Sequence, residues 1–281
     1  MIKKMSLLAA ICLCSYLGFT QEVNLFIKDV KEERHLEQED SFIELESIIK
    51  GIKIGELNQV KIKEITLAKD DKGNILERKE SFFGDDYSDR NEVKIKLEAP
   101  TRNATSISLL EGTLKVFSPS QSNASKIIIN QPLNNYNTNL LCKYYSDIKL
   151  TLIDKEAFEK LKEGDEEEYQ KQIEKLKKDG GLKEGMAETI DAFKQFFDGL
   201  SGFGSGESVS FYVEDDDDKI DEIKLLNADG KKMNYGSSSG GNSLTINTKE
   251  KIAEDWKIEI LIENDKSLKE YKFSLSNIIL P

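Results

Sequence analysis

The chain has 281 residues, of which 38% are hydrophobic and 33% are charged, and its 52 acidic residues outnumber its 40 basic ones. Such a mixture of apolar residues and charges of both signs is typical of a globular protein and excludes a wholly disordered chain. The formal net charge of −12 disfavours nucleic acids and anionic lipid surfaces as partners, because both are repelled by an acidic protein.

Residues 1–20 have the layout of a secretory signal peptide. Lys3 and Lys4 precede an apolar run, Leu7 to Leu13, that is too short to span a membrane. The layout resembles that of exported proteins of Bacteroidota, whose mature chains often open on Gln, and it predicts cleavage before Gln21. We therefore expect the mature protein in the periplasm or outside the cell, with no transmembrane segment.

The three cysteines indicate whether the exported chain could carry a lipid anchor and whether it could form a disulfide. Cys12 and Cys14 end the apolar run, so a lipid anchor is an alternative, although the residues before them are larger than a lipid-attachment site requires. Cleavage would leave Cys142 alone, without an internal disulfide, and a net charge of −14 from 38 basic and 52 acidic residues. Because free cysteine behaves as a small hydrophobe, we expect Cys142 to be buried.

A stretch of seven residues occurs twice in the chain. Residues 61–67 (KIKEITL) and 219–225 (KIDEIKL) agree at five of seven positions, and a glycine-containing turn follows each copy. Such a repeat indicates one structural unit built twice. In each copy two isoleucines stand three residues apart, whereas same-face residues of a regular strand stand two apart, so both copies are predicted to contain a β-bulge.

Alternating or β-branched runs around each copy predict further antiparallel strands. We match residues 93–97 with 256–260 and residues 106–117 with 271–280, each pair following its copy of the repeat. The sole tryptophan, Trp256, falls in one of these runs and is expected in the core. The remaining predicted strands precede the two copies, at 23–27, 42–54, 125–130, 148–153 and 209–213.

These strands predict a mainly β protein with two tandem immunoglobulin-like β-sandwich domains, because each half has the size and strand number of such a domain. The domains are expected at 21–118 and 119–281. The second is interrupted at 154–206, where apolar residues recur every three or four positions and predict a helical hairpin. Its second helix would pack on its own domain or, as the alternative, dock a partner through Phe193 and Phe197.

Catalytic motifs are absent from the sequence on specific grounds. The single histidine, His35, lies in an acidic, loop-like stretch, and no Gly-x-Ser-x-Gly motif accompanies it. A helical zinc site of the His-Glu-x-x-His type needs two histidines and is excluded. Carboxylates are too numerous for the sequence to select a catalytic pair.

Five consecutive acids at 214–218 form the one motif with functional weight. Ca²⁺ prefers oxygen ligands, so Asp215, Asp217 and Asp218 are candidate calcium ligands, and a solvated acidic turn is the alternative. Weaker candidates are Asp85, Asp86 and Asp89 in the first half.

The sequence favours an exported cell-envelope protein that acts as a non-enzymatic binding, adhesion or assembly module and needs no cofactor other than a possible calcium ion. An envelope protein or polymer is the expected partner. The alternatives are a hydrolase of an envelope polymer that uses carboxylates, and a partner-docking protein that uses the helical hairpin.

Overall fold

The computed structural model describes residues 23–36, 40–79, 86–153, 171, 207–240 and 242–281. The predicted signal peptide at 1–20 lies outside this part of the chain. The predicted helical hairpin at 154–206 also lies outside it, apart from residue 171, and so do Phe193 and Phe197. Within the described ranges, no helix is long and apolar enough to cross a membrane.

The described part of the chain is mainly β and includes a short 3-10 helix at Pro132–Asn135. Every strand pairing within it is antiparallel. The strands in chain order are β1 (Asn24–Glu33), β2 (Phe42–Lys50), β3 (Gln59–Asp70), β4 (Glu92–Glu98), β5 (Ser106–Phe117), β6 (Lys126–Asn130), β7 (Lys149–Ile153), β8 (Glu207–Glu214), β9 (Ile220–Leu226), β10 (Tyr235–Gly240), β11 (Ser243–Thr248), β12 (Lys257–Ile262) and β13 (Leu268–Ile279).

The chain divides into two compact units. Unit 1 comprises residues 1–118 together with 268–281, and unit 2 comprises residues 119–267. Unit 1 contains two three-stranded sheets, ordered β1-β2-β4 and β13-β5-β3. The residues of β2 alternate between half-buried and buried, which follows the two-residue period of a strand. The strand therefore has one buried face, through which its sheet packs. Both sheets contribute buried aliphatic side chains to one hydrophobic core.

Unit 2 also contains two sheets, ordered β10-β11-β8-β7 and β6-β12-β9. Its core again draws buried side chains from both sheets, and Trp256, which is 1% exposed, belongs to it as predicted. This tryptophan lies immediately before β12 and not inside the strand. Each unit therefore consists of two sheets that share one core, which is the expected result of pairing strands with one apolar face.

The sequence repeat corresponds to a structural repeat. Its copies lie in β3 and β9, and each strand ends in a turn closed by a glycine with positive φ, Gly73 at 86° and Gly230 at 80°. In the first turn the Gly73 amide donates to the Asp70 carbonyl at 3.1 Å, and in the second the Gly230 amide donates to Asn227 at 2.9 Å. Only glycine adopts this conformation without strain, which explains its presence in both turns.

The predicted β-bulge is confirmed in both copies. In β3, Ile62 and Glu64 oppose consecutive residues of β5, so Lys63 is the extra residue. In β9, Ile220 and Glu222 oppose consecutive residues of β12, so Asp221 is extra. Lys63 and Asp221 are equivalent positions of the repeat, so the same irregularity occurs at the same place in both units.

Two of the sequence-based strand matches are wrong. The partner of the repeat strand is β5 in unit 1 and β12 in unit 2, so residues 257–262 correspond to 106–117 and not to 93–97. Residues 271–280 are predicted in the second domain as the counterpart of 106–117, but β13 pairs with β5 itself along eleven positions. The strand that pairs with β12 on that side is β6. The C-terminal strand therefore belongs to unit 1, and unit 2 is an insertion between β5 and β13.

Pairing explains how the insertion is accommodated. Phe117 at the end of β5 stands opposite Leu268 at the start of β13. Within unit 2, Lys126 at the start of β6 stands opposite Leu261 near the end of β12. The points where the chain leaves and re-enters each unit are thus adjacent within that unit, so the insertion needs no long connection.

The prediction that Cys142 is buried is wrong. Cys142 is free and exposed. It follows the buried pair Leu140 and Leu141, and it lies in a turn where the Tyr144 and Tyr145 amides both donate to the Leu141 carbonyl at 2.9 Å. The two leucines anchor the segment to the core, and the turn directs the next residue outward.

Candidate binding cleft

A concavity among the described residues of unit 2 has a volume of about 660 Å³. It is bounded by the loop between β8 and β9, by β9 itself, and by β10 and β11. Strand β9 ends one sheet and β10 ends the other, so the cleft opens where the two sheets have free edges. A volume of this size accommodates a small ligand or a short segment of polymer.

Acidic side chains dominate the charged lining of the cleft. Only one lysine accompanies them, so the cleft presents a negative field to a ligand. Hydroxyl and amide groups supply the remaining polar lining. The acids are Asp215, Asp216, Asp218, Asp221 and Glu222; the other polar residues are Lys232, Tyr235, Ser237, Ser239, Asn242 and Ser243.

The β8–β9 loop is held by its first aspartate. The Ile220 amide donates to Asp215 Oδ2 at 2.5 Å, and the Asp218 amide donates to the Asp215 carbonyl at 3.2 Å. Asp218 has a φ of 50°, a conformation that aspartate tolerates better than most residues. The second carboxylate oxygen of Asp215, Oδ1, is buried and receives no hydrogen bond.

The acidic run splits between three environments. Glu214 is 4% exposed, accepts a hydrogen bond from the Tyr212 hydroxyl at 2.8 Å and pairs with Lys149 at 3.1 Å. Asp217 pairs with Lys219 at 2.8 Å and does not line the cleft. Hydrogen bonds from Lys219 to Asp147 and then Asp217 hold the pKa of that lysine above its usual value. The run is thus partly structural and only partly available to a ligand.

The structure brings two of the three predicted calcium ligands to the cleft, Asp215 and Asp218, and leaves Asp217 outside it. Within the described ranges, no group of three or more His, Cys, Asp or Glu side chains is arranged to hold a metal ion. Of the weaker candidates, Asp86 and Asp89 are exposed, and Asp85 lies outside the described residues.

One ion-pair network fixes the wall of the cleft. Glu222 pairs with Lys224 at 2.8 Å and with Lys232 at 2.9 Å. Burial raises the pKa of Glu222, but hydrogen bonds from the two lysines outweigh burial and bring the pKa below its usual value. Lys232 is the one base in the cleft, and because it is held by Glu222 it does not neutralise the aspartates of the loop.

Tyr235 joins β9 to β10 at the base of this wall. Its hydroxyl donates to the Ile223 carbonyl at 3.0 Å, and the Lys232 ammonium lies 5.5 Å from its ring centroid. Burial raises the pKa of Tyr235, with a further contribution from the charge of Glu222. The phenol is therefore neutral at physiological pH, and its hydrogen bond holds the first residue of β10 to the opposite sheet.

Sequence reasoning found the acids of the loop and missed β10. Residues 236–240 (GSSSG) have low strand propensity, so no strand was predicted there, yet Ser237 and Ser239 line the cleft. The signal that was available is the absence of charge from residues 233–242 in a chain that is one-third charged.

The single histidine is not among the residues that line the cleft. His35 is exposed, as predicted, with its Nε2 3.0 Å from Glu33.

No protein-family model matches the chain, and neither a curated protein nor a solved structure was found to be similar to it. Function is therefore inferred from the cleft and from the sequence.

Proposed function

We propose that this protein is an exported, non-enzymatic binding module of the bacterial cell envelope that holds a positively charged ligand in the cleft of unit 2. The observation that carries the proposal is the cleft itself, about 660 Å³ and lined by five carboxylates against one lysine. A concave site with convergent polar groups is the usual form of a binding site, and its charge selects cations. The signal-like sequence at 1–20 supports export.

We also propose that both units are immunoglobulin-like sandwiches. Strands β7-β8-β11-β10 and β9-β12-β6 follow the order of the two sheets of that fold, and unit 1 has the same order with one strand fewer. In immunoglobulin-like proteins the fold is a scaffold for binding through loops and edges, and it carries no activity of its own.

Calcium is a second candidate ligand for the same loop. The buried Asp215 Oδ1 has no hydrogen-bond donor, and a buried acceptor left in this state costs free energy that a bound cation would offset. This oxygen is the observation that favours calcium over a solvated acidic turn.

The test is amide-shift mapping of isotope-labelled protein, residues 21–281, with three probes: calcium chloride, a glucosamine tetramer and a capped (Lys-Val)₄ peptide. We expect at least one probe to shift amides of residues 215–223 and 232–246. The double variant Asp216→Asn/Asp218→Asn should weaken that binding about fivefold or more, because it removes two of the five carboxylates.

The matched control is Asp229→Asn, which removes an exposed acid of the same unit that does not line the cleft. It should bind like the unmodified protein. If none of the three probes shifts the cleft amides, or if Asp229→Asn weakens binding as much as the double variant, the cleft is not the binding surface.

A further inference from the structure

The outer edge of β10 is unprotected. Strand β10 ends the sheet β10-β11-β8-β7, and within the described ranges no strand pairs with its outer side. Natural proteins protect such edges with charged side chains, proline or bulges, because an edge presents unpaired N–H and C=O groups to any passing strand. Strand β10 (YGSSSG) has none of these protections, and its pairing with β11 is regular.

The other edge strands show that this is specific to β10. The four sheets of the described part have eight edge strands, and each of the other seven contains at least one Lys, Asp or Glu. Three of them, β1, β3 and β9, also contain bulges. An open edge occurs once in the described chain, and it occurs at the cleft.

Side chains of β10 face the cleft at alternate positions. Ser237 and Ser239 line it and are exposed, whereas Ser238 between them faces the other side of the sheet and is half-buried. A strand added beside β10 would lie about 4.8 Å away, and alternate residues of it would point into the same cleft. Those residues would meet the carboxylates of the β8–β9 loop and of β9.

We infer that β10 accepts an extended polypeptide segment as an additional strand, with Lys or Arg at alternate positions directed into the acidic cleft. The inference rests on the proposed function and names its partner as a basic polypeptide. Main-chain hydrogen bonds to β10 supply affinity, and the cleft supplies the preference for cationic side chains. About six residues are engaged, because β10 has six residues to pair with.

The experiment measures binding of the capped (Lys-Val)₄ peptide to residues 21–281 by fluorescence anisotropy, with two comparison peptides. A (Glu-Val)₄ peptide has the same alternation and the opposite charge, and should bind at least tenfold more weakly. A (Lys-Val)₄ peptide methylated at alternate backbone nitrogens keeps every charge but loses the donors that an added strand needs. It should also bind at least tenfold more weakly.

Charge substitutions at Ser239 provide the matched variants. Ser239→Lys places a cation at the edge and in the cleft, and should weaken (Lys-Val)₄ binding about tenfold. Ser239→Glu adds a side chain of similar size with the opposite charge, and should bind at least as tightly as the unmodified protein. Ser239 is exposed, so both variants are expected to fold, which thermal melting verifies.

Three outcomes would overturn the inference. The methylated peptide could bind as tightly as unmodified (Lys-Val)₄, or spermine at equal charge could displace (Lys-Val)₄ completely. Either result means that the cleft binds cations without strand addition. In that case the proposed function survives and the inference fails. An oligomer that Ser239→Lys converts to a monomer means that the edge pairs with a second copy of this chain. If none of the peptides shifts the cleft amides, the inference fails, and the (Lys-Val)₄ probe gives no support to the proposed function.

Discussion

In unit 1 the strand beside β5 is β13, from the C-terminal end of the chain, whereas in unit 2 the strand beside β12 is β6, the first strand of that unit. The remaining strands occupy equivalent places: β3 matches β9, and β5 matches β12. The two units therefore share one arrangement with different chain connectivity. Unit 2 is continuous, and unit 1 is complete only when the last fourteen residues, 268–281, are present.

The difference shows that a strand's place is decided by its pairing and not by its neighbour in sequence. A hairpin between β12 and β13 needs only the five residues 263–267, a length that hairpins commonly use. In the structure β6 occupies the place beside β12, and β13 pairs along the much longer β5. The twelve-residue β13 buries Phe273 and Ile278 in the core of unit 1.

The largest expected effect comes from deleting residues 268–281. The deletion removes an entire strand from the core of unit 1 and leaves β5 unpaired on one side, so unit 1 should lose its cooperative unfolding transition. Unit 2 should keep its own. Amide spectra report this directly, through loss of dispersed resonances from residues 23–118 and retention of those from 207–262.

The complementary fragment is residues 119–267. It should fold alone, because its ends meet where β6 pairs with β12. The assigned units would be wrong if the fragment were unfolded while the full chain is folded, or if the truncated protein kept the resonances of unit 1.

Sequence predicted the local features of this comparison. The repeat, the bulges at Lys63 and Asp221, and the glycine turns all depend on residues close together in the chain, so their patterns are readable without a structure. The choice between β6 and β13 as partner of β12 is non-local, and both sequences have suitable strand patterns. No local signal separates them.

The cleft was predictable only in part for the same reason. The acidic loop is a local run and was identified from sequence, but strand pairing brings Ser237, Ser239 and Tyr235 to it. Residues 236–240 lack β-branched and aromatic side chains, so their strand is stabilised by pairing with β11 rather than by propensity.

A second prediction tests how each unit fills the equivalent place in its core. Gly112 of β5 stands opposite Phe273 of β13, whereas the equivalent Ile260 of β12 stands opposite Ile127 of β6. A Cβ added to Gly112 would lie 2.5 Å from the Glu64 carbonyl oxygen and 2.7 Å from Phe273 Cζ. Unit 1 thus uses a glycine and a large aromatic residue where unit 2 uses two isoleucines.

Gly112→Ala should therefore destabilise unit 1 by about 2 kcal/mol, since overpacking a core costs roughly 1–3 kcal/mol. Denaturant unfolding measures the change. Adding Phe273→Leu should recover part of the loss, because it relieves the aromatic contact and leaves the carbonyl contact.

The matched control is Gly236→Ala in unit 2, where an added Cβ has no atom within 4 Å. It should change the free energy of unfolding by less than about 0.5 kcal/mol. Equal effects of the two alanines would show that strand propensity, not crowding, is responsible.

The smallest expected effect is a difference in pH dependence between the turn that follows β3 and the turn that follows β9. Asp70 is 1% exposed, and its carboxylate accepts hydrogen bonds from the amides of Lys72 and Asn74 at 2.9 and 2.8 Å. Burial raises the pKa of Asp70, but hydrogen bonds, those of Asn74 foremost, outweigh burial and bring the pKa below its usual value. In unit 2 the neutral Asn227 accepts from the Lys231 amide at 2.9 Å.

Because the folded-state pKa of Asp70 is lowered, its stabilising contribution is present above the ordinary carboxyl pKa, near 4, and is lost as pH falls through the folded value. Amide-exchange protection of Asn74 should drop more between about pH 5 and about pH 2 than that of Lys231, because the Asn74 amide donates to a carboxylate that becomes protonated and the Lys231 amide donates to a neutral side-chain oxygen. Equal losses at both amides would indicate global acid unfolding instead. In Asp70→Asn, which carries the neutral acceptor of unit 2 into unit 1, the pH difference between the Asn74 and Lys231 amides should shrink, because the carboxylate that accepts from the Asn74 amide has been removed.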